Sequence, residues 1–262
     1  MKILVTNDDG IYAKGLWVLA AELRKVAEVI VVAPDREQSA TSSAITLHQP
    51  LRLTQVRTQM AGIKAYSIEG TPADSVILAL GILDDIGIVF SGINEGINLG
   101  DDVLLSGTVG AALQGYLRGL PSIALSVVAE EDMHFEVAAR FASLLADKII
   151  NNFTSTEMLL NINLPNLPFD KVKGVEITKL AKTNYNNLIE EGHDGKRKCY
   201  WIMRGKTQWI MEEGTDTWAV EHGKISISPL KGEMGIAPEN PFLQSLRSLP
   251  LQELQSNSLV IG

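Results

Sequence analysis

The 262-residue chain has one cysteine, Cys199, and four histidines (His48, His134, His193 and His222) with no pair at metal-ligand spacing. A lone cysteine forms no intrachain disulfide, and scattered histidines build no zinc cage, so disulfide and zinc-module scaffolds are excluded. Positive charge is also short, with 23 Lys and Arg against 31 Asp and Glu and a net charge of −8. Proteins that grip a phosphate backbone carry a basic surface, so duplex nucleic acid is not an expected partner. No apolar run is long enough to span a bilayer and no secretory leader pattern opens the chain, so a cytoplasmic protein without a membrane partner is expected. Aromatics make up only 6%, yet three of the four tryptophans (Trp201, Trp209, Trp218) fall between residues 170 and 230. Hydrophobic residues at 45% and charged residues at 21% are ordinary globular usage, which excludes disorder.

What is present is alternation. Short β-branched or apolar runs at residues 2–6, 28–33, 65–68, 86–91, 122–127 and 159–163 read as strands. Residues 15–26, 73–80, 109–118 and 134–150 have apolar positions at helical spacing. The run EVIVVA at 28–33 is apolar on both faces, as in a parallel sheet covered on both sides. This order predicts an α/β fold, a Rossmann-like, doubly wound, mostly parallel sheet, with a C-terminal β-rich arm and a terminal helix. Residues 1–170 are the expected catalytic core. Residues 171–262 are the expected β-hairpin and oligomerisation region, completing the core sheet through runs at 175–180, 199–203 and 224–228, with a tail helix at 239–255.

Chemistry-bearing residues fall where strands end. The first strand runs into Thr6-Asn7-Asp8-Asp9-Gly10. Open α/β sheets bind ligands outside the carboxyl ends of their strands, and neighbouring side chains converge only if the chain turns there. Asp8 and Asp9 fit either a divalent-cation site or a turn that caps the next helix. After residues 28–33 comes a hydroxyl-rich loop containing Ser39, Ser42 and Ser43, able to ligate a hard cation, hold phosphate oxygens or simply face solvent. A third strand ends in Ser91-Gly92-Ile93-Asn94, followed by two more glycines, and offers Asn94 as a neutral oxygen donor. Ser106, Gly107 and Thr108 open a helix, where free N–H groups attract phosphate and a serine or threonine equally serves as a cap. Aspartate, serine and asparagine donate only oxygen, which suits Mg²⁺ or Mn²⁺. Neither the dinucleotide fingerprint nor a Walker A loop is present, so an oxidoreductase on this sheet is disfavoured.

The motifs TNDDGIYAKG (6–15), VVAPDREQSATSSAIT (31–46), EGTPADSV (69–76), SGINEGINLGDDV (91–103) and SGTVGAA (106–112) together resemble the SurE family of stationary-phase survival proteins. Weaker echoes are LLNINLP (159–165), GTDTWAV (214–220) and KISISPL (224–230). The resemblance implies a metal-dependent 5′-nucleotidase that releases phosphate from nucleoside monophosphates, with 3′-nucleotidase and exopolyphosphatase activities as extensions. It implies one divalent ion per subunit, Mg²⁺ or Mn²⁺, held by Asp8, Asp9, Ser39 and Asn94. Phosphate contacts are implied at Ser42 or Ser43 and at Ser106, Gly107 and Thr108. Direct attack by water is expected, oriented or deprotonated by Asp8 or Asp9. A homodimer or dimer of dimers is expected through residues 183–222, which carry Tyr185, Tyr200, Trp201, Trp209 and Trp218. The rival reading is a nucleotide- or phosphate-sensing regulator without turnover. Departures from the family pattern occur at Gly192-His193-Asp194-Gly195 and after Leu230.

Overall fold

The opening strand β1 (Lys2–Thr6) is buried from Ile3 to Thr6 and lies in the interior of the sheet. The chain then runs through α1 (Lys14–Leu23), β2 (Glu28–Pro34), β3 (Leu53–Val56), β4 (Lys64–Ile68), α2 (Pro72–Ile82) and β5 (Ile86–Glu95). Next come α3 (Gly107–Tyr116), β6 (Ser122–Val127), α4 (Phe135–Asn152), β7 (Leu159–Leu164) and β8 (Val175–Ile177). Beyond it lie β9 (Thr183–Asn184), β10 (Asn187–His193), β11 (Lys198–Arg204), β12 (Gln208–Trp209), α5 (Asp216–Glu221) and β13 (Ile225–Pro229). This computed structural model describes residues 1–58, 60, 62–152, 158–184, 187–204 and 208–232. Tyr185 and the tail helix expected at 239–255 lie outside them. Contacts group Met1–Leu230 into one compact unit and Lys231–Gly262 into another.

Nine strands form one sheet in the order β3-β4-β2-β1-β5-β6-β7-β13-β8. All neighbours are parallel except β3 with β4 and β13 with β7. Strand alternation sorts the core into two layers. Ile3, Val5, Val29, Val31 and Phe90 face the layer that contains α1 and α4, while Leu4, Ile30, Val32 and Val89 face that of α2 and α3. α4 buries Phe135, Ala138, Ala139, Ala142, Ala146 and Ile149, a stripe at helical spacing. α2 begins with a capping box: the Thr71 hydroxyl accepts from Asp74 N–H, and the Asp74 carboxylate accepts from Thr71 N–H, with Pro72 next.

The departures from the sequence reading are local. The helix expected over 15–26 ends at Leu23, because Val26 and Ala27 N–H both turn back to the Leu23 carbonyl. The strand expected to stop at Ser91 continues to Glu95, carrying Asn94 on its end. β3, β9, β10, β12 and α5 lie outside the expected runs. β3 is a half-exposed edge strand, and α5 is under two turns long, so neither leaves a strong periodic signal.

Candidate functional site

From β1 the chain leaves to β2 on one side and later returns to β5 on the other, so the strand order reverses at β1. The crevice at such a switch point is where an open α/β sheet has room for a ligand. The turn after β1 is held by its own first residue. Asn7 Nδ2 donates to the Gly10 carbonyl at 3.0 Å, and Gly10 N–H donates to Asn7 Oδ1 at 3.2 Å. Gly10 adopts φ +97°, and a Cβ there would meet the Arg36 backbone at 3.0 Å, so this turn needs glycine. The loop after β2 is fastened to the same turn, since Gln38 N–H donates to the Asp8 carbonyl at 2.7 Å.

Asn94 comes from the opposite side. The register of β5 on β6 shifts between Ser91 and Asn94, an irregularity of the kind that re-aims a side chain at a strand end. The third contribution is the start of α3. Ser106 caps it by accepting from Val109 N–H at 3.2 Å. The Thr108 hydroxyl and backbone N–H both donate to the buried Asp8 carboxylate. A Cβ on Gly107 would lie 2.9 Å from that of Asp8, so the helix start approaches Asp8 only as glycine.

These pieces enclose a cavity of about 460 Å³ lined by Asp8, Asp9, Glu37, Ser39, Asn94, Glu95, Asn98 and Ser106, with Ala40, Gly96 and Ile97. None of its described lining residues is Lys, Arg or His. Burial pushes the Asp8 carboxyl above the usual carboxylate range despite the Thr108 hydrogen bonds. Burial, then repulsion from Asp8 and Glu95, pushes Asp9 up to about 7. Asp9 Oδ2 is buried without a hydrogen-bond partner.

The two neutral donors are set the same way. Ser39 Oγ gives its proton to Glu37 Oε1 at 2.7 Å, and Asn94 Nδ2 donates to the Gly96 carbonyl at 2.6 Å. The one Ser39 proton is thereby occupied and the Asn94 amide is fixed by one of its two N–H groups, and each leaves an oxygen to accept. Among the described residues no three His, Cys, Asp or Glu side chains form a conventional ligand cluster. A pair of repelling carboxylates, one of them with an orphaned oxygen, plus two acceptor-only neutral oxygens fits a hard divalent cation such as Mg²⁺ or Mn²⁺.

Of the sequence-expected residues, Asp8, Asp9, Ser39, Asn94 and Ser106 meet at this cavity. Ser42, Ser43, Gly107 and Thr108 do not line it. Ser42 Oγ donates to the Leu104 carbonyl at 2.7 Å. Ser43 Oγ donates to the Gly110 carbonyl at 3.3 Å and accepts from Gln114 at 2.7 Å. These bonds clamp the hydroxyl loop onto α3 and the turn before it.

Three contributions escaped the sequence reading. Glu37 and Glu95 stand at the exposed rim of the cavity. Asn98, also lining it, is anchored by Asn161 and Asn163 from β7: its carbonyl accepts from both side chains at 2.7 and 3.1 Å, and its N–H donates to Asn163 Oδ1 at 2.8 Å. Asp216, fully buried, accepts from the N–H groups of Gly100, Ala181 and Thr217 at 2.7, 2.9 and 2.9 Å. The available signal was polarity inside a buried pattern: LNINL and GTDTWAV each put Asn or Asp among apolar neighbours.

Fold and site together define a doubly wound α/β protein with an acidic, oxygen-lined cavity at its switch point. A family model described as survival protein SurE matches residues 3–187, and the chain belongs to that family. A relative named 5′-nucleotidase SurE from Dehalococcoides mccartyi (strain ATCC BAA-2266 / KCTC 15142 / 195) is 49% identical over 247 residues, 93% of this chain and 92% of the relative. The protein of the same name from Vibrio parahaemolyticus is 43% identical over 238 residues, 89% of this chain and 90% of the relative. Among solved structures, the SurE protein from Aquifex aeolicus superposes with a TM-score of 0.79 at 34% identity, covering 94% of this chain and all of that one.

Proposed function

We propose that this chain is a 5′-nucleotidase, a phosphomonoesterase that converts nucleoside monophosphates to nucleoside and phosphate with the help of a divalent metal. Relatives 43–50% identical over most of the chain carry that enzyme's name, which supports the activity. The observation that carries the metal requirement is the charge of the cavity: four carboxylates and no cationic lining side chain. Those four carboxylates repel a phosphate monoester dianion, and no cationic side chain offsets them until a cation is bound. Asp8, Asp9, Ser39 and Asn94 would hold one Mg²⁺ or Mn²⁺ per subunit. Bound there, the ion would neutralise phosphoryl charge and make a water more acidic.

The chain's own residues then have separable tasks. Thr108 holds Asp8 in place from the start of α3. Asp9 or Asp8 orients the attacking water and takes its proton. The water oxygen bonds to phosphorus as the bond to the nucleoside oxygen breaks, and the proton ends on that leaving oxygen. Ser106, which lines the cavity, and the Gly107 N–H at the head of α3 receive the phosphoryl oxygens as charge spreads over them, the Thr108 and Val109 N–H groups being taken by Asp8 and Ser106. Ser42 and Ser43 support this cradle from behind through the clamp described above.

The organisation we infer is a core in residues 1–170, and residues 171–262 that complete the sheet and carry the subunit contact. That contact is the exposed ribbon within residues 183–222, giving a cytoplasmic homodimer or dimer of dimers. Among the described residues no helix is long and apolar enough to cross a membrane. The direct test incubates purified protein with Mn²⁺, Mg²⁺ or a chelator and a panel of 5′- and 3′-nucleoside monophosphates and polyphosphate, measuring free phosphate. Metal-dependent release from 5′-monophosphates is expected. Tight nucleotide binding without release under every metal would instead identify a sensing protein. The 3′-monophosphate and polyphosphate arms test the two extensions.

A further inference from the structure

We propose that Glu37 is a positioning residue that aims the hydroxyl of Ser39 at the cation. The proposal rests on the metal-site reading above and deepens it. A serine hydroxyl has one proton and two lone pairs, so it serves as a neutral ligand only when its proton points elsewhere. Ser39 Oγ donates that proton to Glu37 Oε1 at 2.7 Å. Partners of this kind orient the groups that contact a metal and raise their basicity. Asn94 has no proton on its oxygen, and its amide is oriented by a backbone acceptor, the Gly96 carbonyl, which no side-chain substitution removes. Ser39 depends on a side chain, so its orientation can be switched off.

The loop does not need Glu37 for its shape. Its backbone is held by Gln38 N–H on the Asp8 carbonyl at 2.7 Å, by Ser42 N–H on the Leu105 carbonyl at 3.0 Å and by the Thr41 hydroxyl on the Gln38 carbonyl at 2.8 Å. Glu37 is itself exposed and enters none of these bonds. Losing its carboxylate therefore frees the Ser39 proton without releasing the loop. Charge and orientation remain to be separated, because any carboxylate at the rim also attracts a cation. Glu95 supplies the comparison, since it carries the same charge at the same cavity and makes no hydrogen bond to Ser39.

The experiment measures Mn²⁺ affinity of the full chain by electron paramagnetic resonance, with no substrate present. Glu37→Leu is expected to weaken Mn²⁺ binding about tenfold, the lower end of what an orienting partner contributes. Glu37→Gln keeps an acceptor oxygen and should lose no more than Glu95→Gln, about threefold, with that charge-only loss shrinking in 1 M salt. In a Ser39→Ala background, Glu37→Leu should cost no more than Glu95→Gln does, the coupling expected of two groups acting as one. Thermal unfolding of the metal-free variants checks that each is folded. Equal affinities for Glu37→Leu and Glu37→Gln would reduce Glu37 to a rim charge and overturn the assignment. So would an effect of Glu37→Leu that persists in full without Ser39. A wild-type chain lacking a stoichiometric Mn²⁺ site would overturn the metal-site reading and this assignment together, whereas an intact site that Glu37→Leu leaves unchanged overturns this assignment alone.

Discussion

The switch-point cavity and the β10–β11 ribbon break the ordinary rule of protein interiors in opposite directions. At the cavity, carboxylates and amides are taken out of water: Asp8 is 4% exposed and pushed toward its neutral form by burial. On the ribbon, apolar groups are left in water: Ile189 and Ile202 face one another across the strands at 63% and 76% exposure. The cavity is over-determined, with cross-loop bonds from the ends of β1, β2 and β5, from β7 and from the starts of α3 and α5. The ribbon is a separate two-stranded sheet, and an isolated ribbon of that kind is marginal in water. One arrangement leaves negative charge crowded together and the other leaves apolar surface unburied. The cavity calls for a cation and the ribbon calls for a second protein surface. The contrast teaches where to look for a ligand and where to look for a partner.

The sharpest way to break that contrast is to remove charge from the cavity. Asp8→Asn keeps an oxygen for Thr108 to donate to but deletes half of the close carboxylate pair. Turnover should fall by roughly 10³, the scale of several kcal/mol of transition-state charge stabilisation. Metal-free stability should hold or rise, because a buried carboxylate is no longer desolvated. Turnover near wild type at saturating Mn²⁺ would remove Asp8 from the site. The same logic gives a pH dependence. Asp9 is raised from an ordinary 3.8 to about 7 by the fold, so between those values the folded state holds more protons than the unfolded one. The Asp9 contribution to stability of the chelator-treated protein should therefore be fully present below about pH 4, fall as pH rises toward 7 and level off above it. Differential scanning fluorimetry should show the midpoint dropping by several degrees, with Mn²⁺ restoring more at pH 8 than at pH 5 and Asp9→Asn flattening the profile.

A smaller effect is expected from the polar anchors behind the cavity. Asp216 accepts three backbone N–H groups, and the Gly100 bond fixes the chain that leads from β5 to Ser106. In Asp216→Asn one carboxylate oxygen becomes an NH₂ group facing an N–H donor, leaving a buried donor unsatisfied. A stability loss of about 1–3 kcal/mol follows, visible in urea unfolding. Turnover should fall about tenfold, mainly in kcat, through misplacement of Ser106 rather than loss of a contact with substrate. An unchanged kcat in a destabilised but folded Asp216→Asn would confine Asp216 to scaffolding.

The fold was legible because its strands obey simple rules. EVIVVA could only be a strand covered on both faces, and Thr71-Pro72-Ala73-Asp74 spells a helix start. The acidic pair and Asn94 were legible because they follow strand patterns at the edge where ligands bind. Glu37 and Glu95 were not, because a carboxylate in a loop reads as solvated surface until its neighbours across the cavity are known. Ser42 and Ser43 looked equivalent to Ser39 in a run of hydroxyls. Only the approach of α3, which places Leu104, Gly110 and Gln114 over them, separates clamp from cavity. Asp216 lies more than a hundred residues from Gly100, a pairing that local pattern does not encode.

The mildest perturbation of chemistry should come from the ribbon, and it completes the comparison. Of the aromatics expected at a subunit contact, Trp218 stacks on His222 at 4.3 Å and lies under Lys224 Nζ, so it serves its own chain. Tyr200 and Trp201 remain 59% and 53% exposed, although Trp201 leans over Gly192, where a Cβ would come within 2.3 Å of the indole. Tyr200 shares a face with Ile189 and Ile202, and these three form an apolar patch of the kind that marks protein contacts, centred on the facing pair Ile189–Ile202, while Trp201 lies on the opposite face with Gly192. Introducing Lys at both positions of that pair should split the oligomer, seen as a lower mass in light scattering. Two facing lysines also repel one another, so circular dichroism must show the β10–β11 pairing kept before a lower mass is read as loss of the contact. Turnover per chain should stay within about twofold, since no ribbon residue lines the cavity. A double variant with the parent's mass would move the contact elsewhere. One that loses both mass and turnover would show that the partner subunit completes the site, and the two regions would then be one functional unit.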